Sequence, residues 1–521
     1  MSMTLLHALR LNARRAPQRV AIRFRDTALT YADLLASTEQ TMRAFAGLGI
    51  EPGEKVPMLS HNHTHMLVAY FALTGIGAIP APLNYRLAAD DLRHAMTAAH
   101  ARFVLLGTGF GARATELSDA ARRWIWFADA EAQAPADALR WQTLLVTAAP
   151  AVPQRRAGST LMLHTSGTTG RPKGALRSRF GFEERAIEQG FGADDRTLAT
   201  LPICLAAGCV YTLLPLYLGA TVTLHEHFDA GTVIDCIERE RIQSAMLLPA
   251  MLQSLVEHPR FAAADLSSLR VIQSGAGALS SSLKRAVLDR LGDGVLNIYA
   301  ASSEVGPYAN LKGSEVRAHM EGNCVGRPFF GVELKLLDDD GQEVAPGEVG
   351  EICCRSDSQY DGYFEDPELT ESTRRGDFLT VGDLGRIDAN GLLHFVGRKR
   401  DIIKSGGINI HASEIEEVLQ QHPAVAEAHC VGLPDARWTE LICAVIVPHP
   451  GAIAATADDA LEIAAFAAAR LAAYKKPRRV VFMDAVPRNL TGRVVKAELV
   501  DQVLQRLAAG SASGAGTKEP A

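Results

Sequence analysis

Apolar and polar positions along the chain follow two periods. Leu5, Leu6 and Leu9 recur at the spacing of one helical face, and Val20, Ile22 and Phe24 then alternate as in a half-buried strand. Residues 31–48 read as a helix closed by Gly47 and Gly49. Short apolar runs at 56–59, 103–106 and 124–127 predict strands separated by helical stretches. The alternation resumes farther on, with helix 182–189, strand 220–224, helix 232–240 and strand 244–248. Strands and helices in this order predict parallel β-α-β layers, here as two α/β halves.

After Gly322 the texture changes. Runs at 332–336, 350–354 and 392–396 predict strands of a β-rich subdomain, with turns at 338–341 and 346–347. A new unit begins after Arg398. Ser413 and Glu416 stand in the S-x-x-E frame of a capping box and predict a helix reaching Gln421. Strands 426–431 and 441–447, helix 458–473, strand 480–483 and helix 496–507 complete a small α+β unit. The fold expected is α/β: a large N-terminal domain, 1–398, of two layered halves plus the β-rich subdomain, then a small domain, 399–507. Residues 508–521 are Ala, Gly and Ser with a charged end, the composition of a disordered tail.

Segment 203–224 carries no charge and is long enough to span a bilayer. Gly208, Pro215 and Gly219 interrupt it, and no second such segment exists, so a buried helix, a turn and a strand are expected and no transmembrane span. Length supports the division: 521 residues exceed one usual core. A net charge of -6 gives no footprint for nucleic acid or an anionic membrane. Arg10, Arg14 and Arg15 precede no apolar signal core, which argues against export. The eight cysteines form no metal-type pairs, and the adjacent Cys353 and Cys354 cannot easily serve one site, so a reduced cytoplasm is expected.

Candidate chemistry gathers at 161–174. The apolar run of Leu161, Met162 and Leu163 empties into Thr165, Ser166, Gly167, Thr168, Thr169 and Gly170, followed by Pro172 and Lys173. Glycines let backbone N–H groups approach an anion, hydroxyls donate to phosphate oxygens, and Lys173 adds a mobile positive charge. Ordinary turns use the same residue types. The spacing of a Walker A loop is absent.

Residues 166–174, S-G-T-T-G-R-P-K-G, resemble position by position the phosphate loop of the adenylate-forming superfamily of acyl-CoA synthetases, peptide-synthetase adenylation domains and luciferases. Further landmarks follow in the family's order: Ser303 and Glu304, Gly382 and Asp383, Gly397 and Arg398, and P-R-N-L-T-G at 487–492. The resemblance covers most of the chain after about residue 20. It implies a first half-reaction in which a carboxylate attacks the α-phosphate of ATP, and a second in which a thiol, usually coenzyme A, displaces AMP. The 165–173 loop would hold the outer phosphates and Glu304 the Mg2+ ion. Asp383 and Arg398 would grip the ribose, and Gly275, Ala276 and Gly277 would lie beside adenine and the acyl group, with Tyr299, Ala300 and Ser303 in the adjoining motif. Arg400 falls on the family's hinge, which implies a mobile small domain, and Lys404, Gly406 and Gly407 resemble the loop that shapes the thiol tunnel.

Several positions depart from the pattern. Arg493 stands where relatives carry a lysine that bonds the attacking carboxylate and the phosphate, with Lys496 three residues on. Ala300 replaces the aromatic that stacks on adenine, Ala301 a glycine, Val381 a threonine, and Leu205 a histidine common in relatives. These bear on adenylation rate and nucleotide grip, not on the fold. The reading is an AMP-forming acyl-CoA synthetase with Lys173, Glu304 and Arg493 as catalytic residues and ATP, Mg2+ and coenzyme A as cofactors. Small residues (Ala206, Ala207, Gly208, Ala276, Ala300, Ala301) favour an apolar monocarboxylate over a dicarboxylate. A homodimer is compatible with it. Two alternatives stay open: an enzyme that loads a separate acyl carrier protein, and a catalytically weakened relative with a binding role.

Overall fold

The computed structural model describes residues 3–117, 122–127, 134–146, 160–166, 172–435, 437–488 and 494–512. Two mainly parallel sheets build the first part of the chain. One runs Ile79–Pro82, Lys55–Leu59, Phe103–Leu106, Arg123–Trp126, Leu139–Arg140, with every pairing parallel. The other contains Val20–Phe24, Thr221–Leu224, Arg196–Ala199, Ser244–Met246, Val271–Gly275 and Leu296–Ser302 in that spatial order, again parallel. These are the two expected α/β halves.

Helices Thr64–Ile76 and Ala206–Leu218 are buried almost all round, as helices apolar on every face must be. They share one core with Met58 and Leu105 of the first sheet and Ile22, Val222 and Met246 of the second. The uncharged segment is therefore a core helix, the positive-φ residue Gly219 and the strand Thr221–Leu224. No helix among the described residues is long and apolar enough to cross a membrane.

The second sheet continues in antiparallel fashion through Gly306–Leu311, Cys324–Pro328, Leu393–Arg398, Phe378–Ile387, Val349–Ser356 and Val332–Leu337, which is the expected β-rich part. Its last strand in chain order, Leu393–Arg398, lies between Phe378–Ile387 and Cys324–Pro328. A short 3-10 turn, Lys399–Asp401, leads into a separate sheet of Ile408–His411, Ile402–Ser405, Thr439–Pro448 and Val425–Asp435, with Arg479–Phe482 beside Thr439–Pro448.

Three local expectations fail, one of them the helix over 458–473, which ends at Ala468. The capping box at Ser413 and Glu416 does not form: the helix Ala412–Leu419 opens from His411 with no side-chain cap. Ser413 donates to the Val396 carbonyl of the large domain, and Glu416 accepts from the Cys430 amide at 2.8 Å. Both side chains are taken by tertiary partners that outcompete a local cap. The last helix, Lys496–Ala512, also continues five residues past the boundary expected at 507; residues 513–521 lie outside the described residues.

Candidate active site

The strands Leu161–Ser166 and Pro172–Arg177 pair antiparallel, with Thr165 opposite Lys173 and Ser166 opposite Pro172. The expected phosphate loop is therefore flanked by two paired strands of a hairpin. Gly167, Thr168, Thr169 and Gly170 lie outside the described residues, as do the side chains of Thr165 and Ser166. A third strand, Gly362–Tyr363, pairs with Pro172–Arg177, placing Tyr363 opposite Ala175.

Glu304 follows the strand Leu296–Ser302 and is tied to this hairpin from two sides. Tyr363 donates its hydroxyl to Glu304 Oε1 at 2.5 Å, and the Tyr360 amide donates to the Glu304 carbonyl at 2.7 Å. Arg177, at the end of the Lys173 strand, donates to the Ser303 carbonyl at 2.7 Å and to the Ser358 carbonyl. Burial, then neighbouring Arg185, draws its guanidinium down to about 10, while Glu304 and Asp361 pull the other way. Arg177 thus stays charged at neutral pH and ties the Ser303 carbonyl to that of Ser358.

Asp383 and Arg398 are direct cross-strand partners, with Arg398 Nε 3.3 Å from Asp383 Oδ1. Tyr308 donates to Asp383 Oδ2 at 2.9 Å. Asp383 is only 5% exposed, with one hydrogen bond, from Tyr308, on Oδ2 and the Arg398 ion pair on Oδ1. Gly275 lies opposite Tyr299, and a Cβ at 275 would collide with the Tyr299 carbonyl and lie 2.9 Å from its ring, so only glycine allows that approach. Ala276 next to it takes a positive φ of 67°, a strained turn at the end of a parallel strand. Ala207, Ala276 and Ala301 are half-buried against the core that also holds Tyr211 and Tyr299, whose rings meet edge to face at 5.7 Å; Ala300 is buried on the other side.

In the small domain, Gly406 has φ of 59° and the Trp438 ring close beside it, while Gly407 has φ of 80°. Both stand at the turn between Ile402–Ser405 and Ile408–His411, and Lys404 is exposed there. Lys496 is turned inward: its Nζ donates to the Cys430 carbonyl at 3.2 Å and lies 3.6 Å from Glu416. Arg493 lies outside the described residues.

The AMP-binding enzyme family matches residues 9–364, and the AMP-binding enzyme C-terminal domain matches residues 414–493. The chain belongs to the AMP-binding enzyme family. Over 503 residues it is 34% identical to the indoleacetate–CoA ligase of Aromatoleum aromaticum, covering 94% of this chain and 96% of that one. It is likewise 34% identical over 492 residues to a feruloyl-CoA synthase of an Amycolatopsis species, with coverage of 94% and 96%. Among solved structures, the amide bond synthetase McbA of Marinactinospora thermotolerans superposes with a TM-score of 0.85 at 27% identity, covering 96% of this chain and all of that one (100%). This AMP-binding enzyme is an acid–thiol ligase, an AMP-forming acyl-CoA synthetase.

Four residues of the site escaped the sequence reading. Tyr363, Tyr308 and Arg177 hold Glu304, Asp383 and Ser303 respectively, yet each sits in an unremarkable strand and carries no local signal. Lys399 is the fourth: its Nζ lies 3.1 Å from buried Glu351 and 2.9 Å from Asp339, fastening the start of the 3-10 turn Lys399–Asp401 to the β-rich part. Arg400, beside it, is exposed and lies 3.7 Å from Asp401.

Proposed function

We propose that this AMP-forming acyl-CoA synthetase activates an apolar aromatic monocarboxylate. The observation that carries the reading is that the small, half-buried side chains of Ala207, Ala276 and Ala301 pack against the core that also contains the edge-to-face pair Tyr211 and Tyr299. Small walls leave room for a ring, and an aromatic edge favours one by about 0.5–1.5 kcal/mol beyond area burial. The names of the indoleacetate and feruloyl relatives agree with it.

In this reading Asp383 accepts from the ribose hydroxyls, Lys173 approaches the phosphate oxygens, and Arg493 neutralises the charge that develops as the carboxylate attacks. Glu304 is a partly exposed oxygen donor with Tyr363 on one oxygen, a group that suits a hard cation, so it would hold Mg2+. That ion, when bound, supplies positive charge to the phosphate oxygens. The small domain, 399–507, presents Arg493 for the first step and the Gly406–Gly407 turn for the second. A cytoplasmic setting and a homodimer belong to the same reading, the latter checked by sedimentation.

Pyrophosphate release over a panel of indole-3-acetate, ferulate, palmitate and malonate, with and without coenzyme A, tests it. The aryl acids should give the highest kcat/KM, and the thioester should appear only with coenzyme A. Malonate or palmitate as the best acid overturns the substrate class, and thioester formed only on an added carrier protein favours the loading enzyme.

A further inference from the structure

We propose that His61, Glu226 and His227 form a binding site for one divalent transition-metal ion of the zinc class, which clips the two α/β halves of the large domain together. His61 lies two residues beyond the strand Lys55–Leu59 of one sheet. Glu226 and His227 lie just beyond the strand Thr221–Leu224 of the other. Two independent sheets thus deliver three donors to one point, and their ligand atoms all lie within 4.8 Å of one another.

The separations are those of a coordination shell rather than of a hydrogen-bonded cluster. His61 Nδ1 is 3.5 Å and His227 Nε2 is 3.8 Å from the same oxygen, Glu226 Oε1. Both exceed a good N–H···O bond. Tetrahedral zinc, with bonds of about 2.0–2.1 Å, sets its ligands roughly 3.3–3.4 Å apart, so the two sides that meet at Glu226 Oε1 need only a few tenths of an ångström of closure, and the two imidazole nitrogens, within 4.8 Å of each other, must draw together to complete the triangle. The second carboxylate oxygen is already used: Arg25 Nη2 meets Glu226 Oε2 at 2.5 Å, which orients Oε1 toward the imidazoles as an outer partner does.

Two of the donors are fixed in advance. The His61 ring is held edge-on by Tyr85 at 4.7 Å and lies 4.8 Å from the Phe110 ring. Glu226 is held by Arg25. His227, with 57% of its side chain exposed, is the one that closes, its ring 4.4 Å from that of His61. Two imidazoles and one carboxylate suit zinc or cobalt, and three protein ligands leave a fourth position for water.

The position gives the ion a task. Asn62, adjacent to His61, already spans this seam: it donates to the Leu201 carbonyl at 2.9 Å and the His225 carbonyl at 3.0 Å, and accepts from the Ile203 amide at 2.8 Å. The ion would extend the same seam outward. Cysteines do not compete for it, since all eight are buried.

The full chain, stripped with EDTA and free of ATP and Mg2+, is dialysed against Co2+ or Zn2+, so the result is independent of the adenylation reading. One equivalent of metal per chain is expected, with cobalt giving visible absorption of a tetrahedral site. The melting temperature should rise with metal concentration, as for any ligand that binds only the folded state. His227→Ala, a change at an exposed side chain, should leave the metal-free melting temperature unaltered. It should weaken binding by at least the ~10–100-fold typical of losing an outer-shell partner. His100→Ala, which removes an exposed imidazole paired with Glu365, should bind as the parent does. A parent that takes up no stoichiometric metal, or a His227→Ala variant that holds it as tightly as the parent, overturns the proposal.

Discussion

Tyr363 and Glu304 meet hydroxyl to carboxylate at 2.5 Å, although 59 residues separate them in the chain. Because Tyr363 is paired across from Ala175, the same contact links Glu304 to the strand that carries Lys173. A hydrogen bond to a charged group contributes about 1.5–3 kcal/mol. Tyr363→Phe is expected to slow acyl-adenylate formation by about ten-fold, equivalent to roughly 1.4 kcal/mol, while thioester formation from preformed adenylate stays normal. Stopped assays of the two half-reactions read this directly. Equal slowing of both would assign Tyr363 to the fold alone.

Lys173→Ala and Glu304→Ala should each lower pyrophosphate release by ~10²-fold or more, the scale for losing one preorganised charge partner. Melting temperatures should move little, since both side chains are only partly buried. Unchanged pyrophosphate release in both variants would remove them from the site.

Period and punctuation carried most of the architecture. Helix Phe182–Gln189 and strand Phe103–Leu106 match the expected limits residue for residue, because each is bounded by glycine or polar positions where the pattern breaks. The capping box at Ser413 failed for the opposite reason: its residues satisfy the local rule, but Val396 and Cys430 arrive from distant strands and take the side chains. Thr30 with Asp33 and Thr456 with Asp459 form genuine capping boxes, having no such competitors. At the site, motif residues such as Asp383 were legible, whereas Tyr308, which orients it, was not. Such partners are chosen by sheet register, which a single sequence does not display.

Tyr308 provides a graded test of nucleotide grip. It donates to Asp383 Oδ2 from a fully buried position, while Arg398 covers the other oxygen. Tyr308→Phe keeps the ring and removes one donor. The KM for ATP should rise by about five- to ten-fold, the equivalent of roughly 1–1.4 kcal/mol, with kcat changed less. A titration of ATP at saturating acid separates the two constants. An unaltered KM would mean that Arg398 alone orients Asp383.

His164 predicts an acid limit to stability. Burial, reinforced by His94 and opposed by a bond to the Pro82 backbone, draws its imidazole from 6.5 down to about 4. The folded state therefore binds fewer protons than the unfolded chain between those values, so the contribution is complete above pH 6.5 and is lost as pH falls toward 4. The loss attributable to this group is roughly 3 kcal/mol. His164→Gln should flatten the fall in urea midpoint between pH 7 and pH 4.5 relative to the parent. Parallel curves for the two proteins would exclude His164 as the source.

Arg493 is the sharpest departure from the superfamily pattern, and the neighbouring lysine does not relieve it. Lys496 is engaged with Glu416 and the Cys430 carbonyl inside the small domain, so its ammonium is committed to holding the last helix against the strand Val425–Asp435. Lys496→Met should consequently lower the melting temperature and leave the relative rates of the two half-reactions unchanged. In the proposed function Arg493 is therefore the residue of this motif assigned to supply the cation for the first step. Its planar fork bonds two oxygens at once but follows the reacting atoms less closely than an ammonium on a flexible stem. Arg493→Lys is expected to speed adenylation by about ten-fold, if the mismatch costs roughly 1.4 kcal/mol in the transition state. Arg493→Ala should slow it by ~10²-fold or more. Thioester formation from preformed acyl-adenylate should be normal in both if, as proposed, the small domain presents its Gly406–Gly407 turn in that step. Adenylation by Arg493→Ala at the parent rate would show that the chain runs its first half-reaction without a cation from this motif.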